Sequence, residues 1–162
     1  MTATGHAVIG VAIAATISNP IIAIPVALGS HLLADLFPHW DAGTNRSKKS
    51  KDRFFVEAAA DVILSLAVTF FLVIYLFPQT DLFYAYIIVF FAQFFDWITA
   101  PYLFFKIDKP GIFKWFYEFQ KKHFDTRLDK PWGVIGQVAL LIILLGIALA
   151  SLGTPIVAIA TR

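Results

Sequence analysis

The sequence predicts an all-α protein, a polytopic membrane helical bundle. Three observations carry that expectation. Of 162 residues, 59% are hydrophobic and only 15% are charged, well above what a water-soluble globular chain carries. The apolar residues gather into runs long enough to cross a bilayer. The bases gather elsewhere: segments 41–53 and 106–131 hold five and seven Lys or Arg respectively. No cysteine is present, which excludes disulfides and thiolate metal sites and leaves His, Asp and Glu as the strong metal ligands available.

Residues 54–77 and 82–105 are each long enough to span ~30 Å of hydrocarbon at ~1.5 Å per residue. Between them Pro78-Gln79-Thr80-Asp81 forms a short turn without a base. By the positive-inside tendency that turn faces outward, and the basic loops 38–53 and 106–131 are cytoplasmic. Residues 133–153 make a third span. Residues 3–17 and 21–37 are two shorter apolar runs divided by the turn signal Ser18-Asn19-Pro20. They read as a helical hairpin over 3–37 with both ends on the cytoplasmic side; a single kinked span is the other arrangement they permit. Ala3, Ala7, Gly10 and Ala14 recur every four residues and allow a neighbouring helix to approach closely. Residues 111–124 place Ile112, Phe113, Phe116 and Phe119 at helical spacing with Lys and Glu around them, the pattern of an interfacial amphipathic helix. The whole chain, 1–162, is expected to be one membrane domain. Its N-terminus lacks the basic region of a signal peptide, and no cleaved leader is expected.

Against this apolar background the polar groups of GSHLLADLFPHWDAG, residues 29–43, are costly. His31 and Asp35 are four apart and share a helix face, and His39 follows just past Pro38. A hairpin closing at Ser18-Asn19-Pro20 brings His6 opposite Leu32, within a turn of His31 and Asp35. Asp61 and Asp96 lie ~10–14 Å from the cytoplasmic ends of their spans at ~1.5 Å per residue. Gln93, one turn before Asp96, is placed to orient it. Each isolated Asp near mid-membrane costs ~2.5–3.5 kcal/mol, and the spans contain no Lys or Arg to offset it. A divalent ion would satisfy several carboxylates and imidazoles together. The expected metal ligands are therefore His6, His31, Asp35, His39, Asp61 and Asp96. Asp41 and Glu57 stand near them, while His123, Asp125 and Asp129 read as groups of a solvated basic loop.

Thr4-Gly5-His6 followed by Gly10, and then GSHLLADLFPHWD, resembles the N-terminal pattern of the YdjM-like bacterial inner-membrane proteins, described as membrane-bound metal-dependent hydrolases. More distantly, His31-x-x-x-Asp35 followed by Pro38-His39 is similar to the metal helix of zinc-dependent phospholipases C and single-strand nucleases. The resemblance covers mainly the first 45 residues. It implies a helical fold in the cell (inner or plasma) membrane with a metal-dependent hydrolase site. One or two divalent ions are expected there, zinc being the first choice. On that reading Glu57 or Asp41 serves as general base. The expected substrate is a lipid or lipid-linked phosphoester near the cytoplasmic interface, whose anionic head Arg46, Lys48, Lys49, Lys51 and Arg53 would attract. Two other functions fit the same residues: a small ion or proton transporter component, and a non-catalytic membrane protein with a structural metal site. No nucleic-acid-binding motif is present.

Overall fold

Short capping sequences start most of the helices. In the computed structural model, which describes residues 1–153, seven α-helices form and no strand is present among the described residues. Residues 154–162, part of the expected single domain, lie outside the described residues. Helix α1 (Ala3–Thr16) opens with the Thr2 hydroxyl accepting the Gly5 N–H, and α2 (Pro20–Leu36) with the Asn19 side chain accepting the Ile21 N–H and Pro at its first position. Helix α2 ends at Phe37, whose extended backbone is what a following proline demands. Ser50 caps α3 (Lys51–Phe71), and Asp81 caps α4 (Leu82–Ala92). Helices α5 (Phe94–Phe105), α6 (Ile112–His123) and α7 (Trp132–Ser151) complete the chain.

Helix α3 continues through a π-helical segment, Leu72–Leu76, into a rod of 26 residues. That rod and α7 are long and apolar enough to cross a membrane, roughly 39 Å and 30 Å at ~1.5 Å per residue. They also leave large apolar side chains exposed, among them Ile63, Phe71, Ile142 and Ile147, a surface suited to hydrocarbon.

The expected continuous span over 82–105 is instead broken. Helices α4 and α5 meet at Gln93 with a bend of 53°, and together they make a third crossing only if counted as one. The physical reason is the buried Gln93 amide. Its Nε2 donates to the Ala3 carbonyl at 2.9 Å and to Ser65 Oγ at 3.1 Å, drawing the chain toward α1 and α3. These bonds offset helix hydrogen bonds lost at the break. They also correct the expectation that Gln93 orients Asp96.

Helix α1 lies inside the bundle against α2, α3, α4 and α7, with nine of its 14 residues buried. A helix apolar all round is one that has neighbours all round. Its small residues permit this: a Cβ on Gly10 would come within 2.9 Å of the Val89 backbone, so only glycine lets α1 and α4 approach so closely. The same burial carries the start of α1, and His6 with it, to the ends of α2 and α5.

Candidate metal centre

Asp35, in the last turn of α2, is the hub of the site. Its Oδ1 lies 3.3 Å from His6 Nε2 and 4.0 Å from His39 Nε2, and its Oδ2 lies 3.3 Å from His31 Nε2. The main-chain nitrogen of Met1 also contacts Oδ1. His6 and His31 stack face to face, ring centres 3.9 Å apart and 9° from parallel. All three imidazoles are fully or almost fully buried. Ligands on a tetrahedral zinc with ~2.0–2.1 Å bonds sit ~3.3 Å apart, the separation found between Asp35 and both His6 and His31.

The helix break sets the tautomer of His31. Asp96 N–H bonds the Gln93 carbonyl, and the Ala92 carbonyl accepts from His31 Nδ1 at 2.7 Å. Nε2 then faces Asp35 Oδ2 and Asp96 Oδ1, 3.9 Å from the latter, and in the neutral ring it is the nitrogen that carries the lone pair. His39 is arranged alike, with Nδ1–H donated to the Phe37 carbonyl at 2.8 Å. An imidazole fixed by a carbonyl on one nitrogen and open on the other is the usual form of a metal ligand. Burial holds the His39 imidazole below its usual pKa range, so it is neutral near pH 7. Among the described residues, both ring nitrogens of His6 and Nε2 of His39 are buried without a hydrogen-bond partner. Orphaned buried polar atoms are rare and expensive, about 1–3 kcal/mol each, and a cation would relieve them.

The ligand-type atoms fall into two groups, each within 4.8 Å: His6, His31 and Asp96, and then His39, Asp41 and Asp125. Asp125 was expected to be a loop group. It reaches the site through backbone pairing of residues 126–128 with 35–39: Thr126 N–H to the Asp35 carbonyl, His39 N–H to the Thr126 carbonyl, and Leu128 N–H to the His39 carbonyl. That pairing also carries in Arg127, whose Nε bonds Asp41 Oδ2 at 3.2 Å and Asp125 Oδ1 at 3.0 Å. Burial raises the Asp125 carboxyl pKa, and the Arg127 charge opposes the rise. Gln120 on α6 is a second residue the sequence did not single out. Its amide lies 3.0 Å from His31 Nε2, so α6 covers the site as well as presenting Trp115 outward.

Apart from the hub Asp35, two expected site residues fall outside both ligand groups. Asp61 faces the first turn of α1, accepting Ala3 N–H at 2.6 Å, Thr4 N–H at 3.1 Å and the Thr4 hydroxyl at 2.7 Å. A carboxylate at orphan N–H groups and the positive end of a helix dipole is already compensated. Glu57 is held by Lys49 Nζ at 2.6 Å and Arg53 Nε at 2.9 Å, outside both groups. Asp41 stays within the site, its Oδ1 accepting the Thr44 hydroxyl.

The site opens into a cavity of about 170 Å³. Its lining includes the acids Asp35, Asp41, Asp61, Asp96 and Asp125, the apolar Val62, Trp97, Leu103 and Phe104, and the bases Arg46, Lys121 and Arg127. The Arg46 guanidinium rests on the Phe54 ring, 4.4 Å from its centre.

What fold and site define together is a protein all-helical among the described residues, apolar enough in two or three helices to cross a membrane, with groups of buried His and half-buried Asp that could hold a metal ion. Compared with protein-family profiles, curated proteins and solved structures, the chain matches none.

Proposed function

We propose that the protein is a metal-dependent membrane hydrolase, acting on a lipid or lipid-linked phosphoester at the cytoplasmic interface. The observation that carries this reading is the set of buried, unpartnered imidazole nitrogens around Asp35, a carboxylate that itself lines a cavity of mixed acidic, basic and apolar character. His6, His31, Asp35 and Asp96 would hold the ion, zinc being first choice. When bound, it supplies a water of lowered pKa and an electrophile for a phosphoryl oxygen.

The chain's own residues do the rest. Ala92 and Phe37 carbonyls orient the imidazoles, Arg46 and Lys121 attract an anionic head, and Trp97, Leu103 and Phe104 offer an apolar wall for an acyl or isoprenoid tail. Of the two acids expected as base, Asp41 lines the cavity and Glu57 does not. The membrane arrangement we infer is multi-pass: α1 and α2 as a hairpin with both ends cytoplasmic, then α3, the bent α4–α5 pair and α7 crossing in turn. Contact of His6 in α1 with His31 in α2 supports the hairpin, and the basic loops support its orientation. The resemblance to the YdjM-like proteins points the same way.

Elemental analysis of the purified, detergent-solubilised chain tests the reading. We expect bound zinc in the wild type and at least a tenfold loss of affinity in His31→Ala and Asp35→Ala. Equal metal content in all three proteins would end it.

A further inference from the structure

The second group of ligand atoms has a chemistry of its own. His39, Asp41 and Asp125 come from two loops joined by the backbone pairing of residues 35–39 with 126–128 and by the Arg127–Asp41 ion pair. His39 is wholly buried, its Nδ1–H is spent on the Phe37 carbonyl, and its Nε2 has no partner among the described residues. That nitrogen points between Asp35 Oδ1 and Asp41 Oδ2, 4.0 Å from each. Asp41 and Asp125 face one guanidinium, that of Arg127, and Asp35 faces the Met1 ammonium. Three carboxylates against two cations leave one negative charge over.

We propose that His39, Asp41 and Asp125 bind a second divalent cation, and that Asp35 bridges it to the ion held by His6, His31 and Asp96. Asp35 suits the part because its Oδ1 faces both His6 and His39 while its Oδ2 faces His31. One carboxylate between two imidazole sets is how paired ions are brought within ~3.5–4 Å. Arg127 bonds Asp125 Oδ1 and Asp41 Oδ2, fixing both carboxylates; Asp125 keeps its second oxygen for the ion, and Asp41 would meet it through a remaining lone pair of Oδ2, the oxygen that faces His39. The 4.0 Å separations exceed the ~3.3 Å edge of a tetrahedral zinc, and the loops close by under ~1 Å on loading.

The inference deepens the hydrolase reading and rests on it, because it names the substrate class the loaded site accepts. Asp35, Asp41, Asp96 and Asp125 against Arg127 and the Met1 ammonium leave two negative charges, so with one divalent ion the centre is neutral and offers an anion no net attraction. With two it is net positive. A centre of that charge, with Arg46 and Lys121 on the same cavity, takes an anionic phosphoester and disfavours a neutral carboxyl ester.

The test is a titration of the chelator-stripped full chain in detergent with Zn²⁺, read by calorimetry and elemental analysis, with circular dichroism as the folding control. We expect two equivalents for the wild type and one for His39→Gln and for Asp125→Asn. Mn²⁺ loading of the wild type gives a reading that no variant's folding affects: an exchange-coupled electron-paramagnetic-resonance spectrum in place of isolated six-line signals. One equivalent in the wild type with uncoupled Mn²⁺ would overturn the second site and leave the hydrolase reading standing. No bound ion at all would remove both.

Discussion

Asp61 shows how one carboxylate in an apolar segment can be compensated in more than one way. Its three hydrogen bonds all come from the first turn of α1, so its role in the fold is to seat the helix that carries His6. Asp61→Ala is expected to cost about 1–2 kcal/mol, the range for losing a helix cap, while leaving zinc stoichiometry unchanged. Thermal unfolding with metal analysis on the same sample checks both halves, and loss of zinc with unaltered stability would return Asp61 to the ligand set. His39 is the contrasting residue. Its Nδ1 is satisfied two residues away while its Nε2 is buried without a partner, an arrangement that makes sense for a ligand and none for a packing histidine.

At the scale of elements, the break between α4 and α5 links the fold to the site. A straight helix through 82–105 would give the Asp96 N–H to the Ala92 carbonyl; here Asp96 bonds Gln93, and Ala92 takes the His31 proton. The buried Gln93 amide holds that geometry through Ala3 and Ser65. Gln93→Leu keeps the volume roughly and removes both bonds, so we expect a stability loss of about 1–3 kcal/mol. Zinc affinity should fall about 10-fold or more, as when a group behind a ligand is lost. Competition with a fluorescent zinc chelator measures the second effect. Unchanged affinity would mean that the break does not orient His31.

For the whole molecule, the decisive question is which ends share a side of the membrane. Ser18, between α1 and α2, and Gln79, between the α3 rod and α4, line the same open cavity, and Tyr84 Oη donates to the Ile17 carbonyl at 2.6 Å. The metal-ligand groups and the basic loops lie at the other end of the bundle. Introduced into this cysteine-free chain, thiols at Ser18 and Gln79 should react with an impermeant maleimide from outside intact cells, and one at Lys48 only after lysis. A Ser18 thiol that behaves like the Lys48 thiol would overturn the proposed hairpin orientation.

Local chemistry decided much of this protein. Apolar runs, the Asn19-Pro20 helix start, the four-residue spacing of His31 and Asp35 and the clustering of bases are all carried by neighbours in the chain, and they sufficed to expect an all-helical, membrane-type fold and a polar cluster about Asp35. Tertiary structure decided the rest, because it depends on which distant backbone groups are left without partners. The bend at Gln93 needs the Ala3 carbonyl and Ser65, and the place of Asp61 needs the bare N–H groups of α1. Asp125 enters the site only because residues 126–128 pair with 35–39, and a loop acid carries no mark of such a pairing in its own sequence. Spacing along a helix states which side chains share a face; which carbonyl or carboxylate then meets that face is settled by packing.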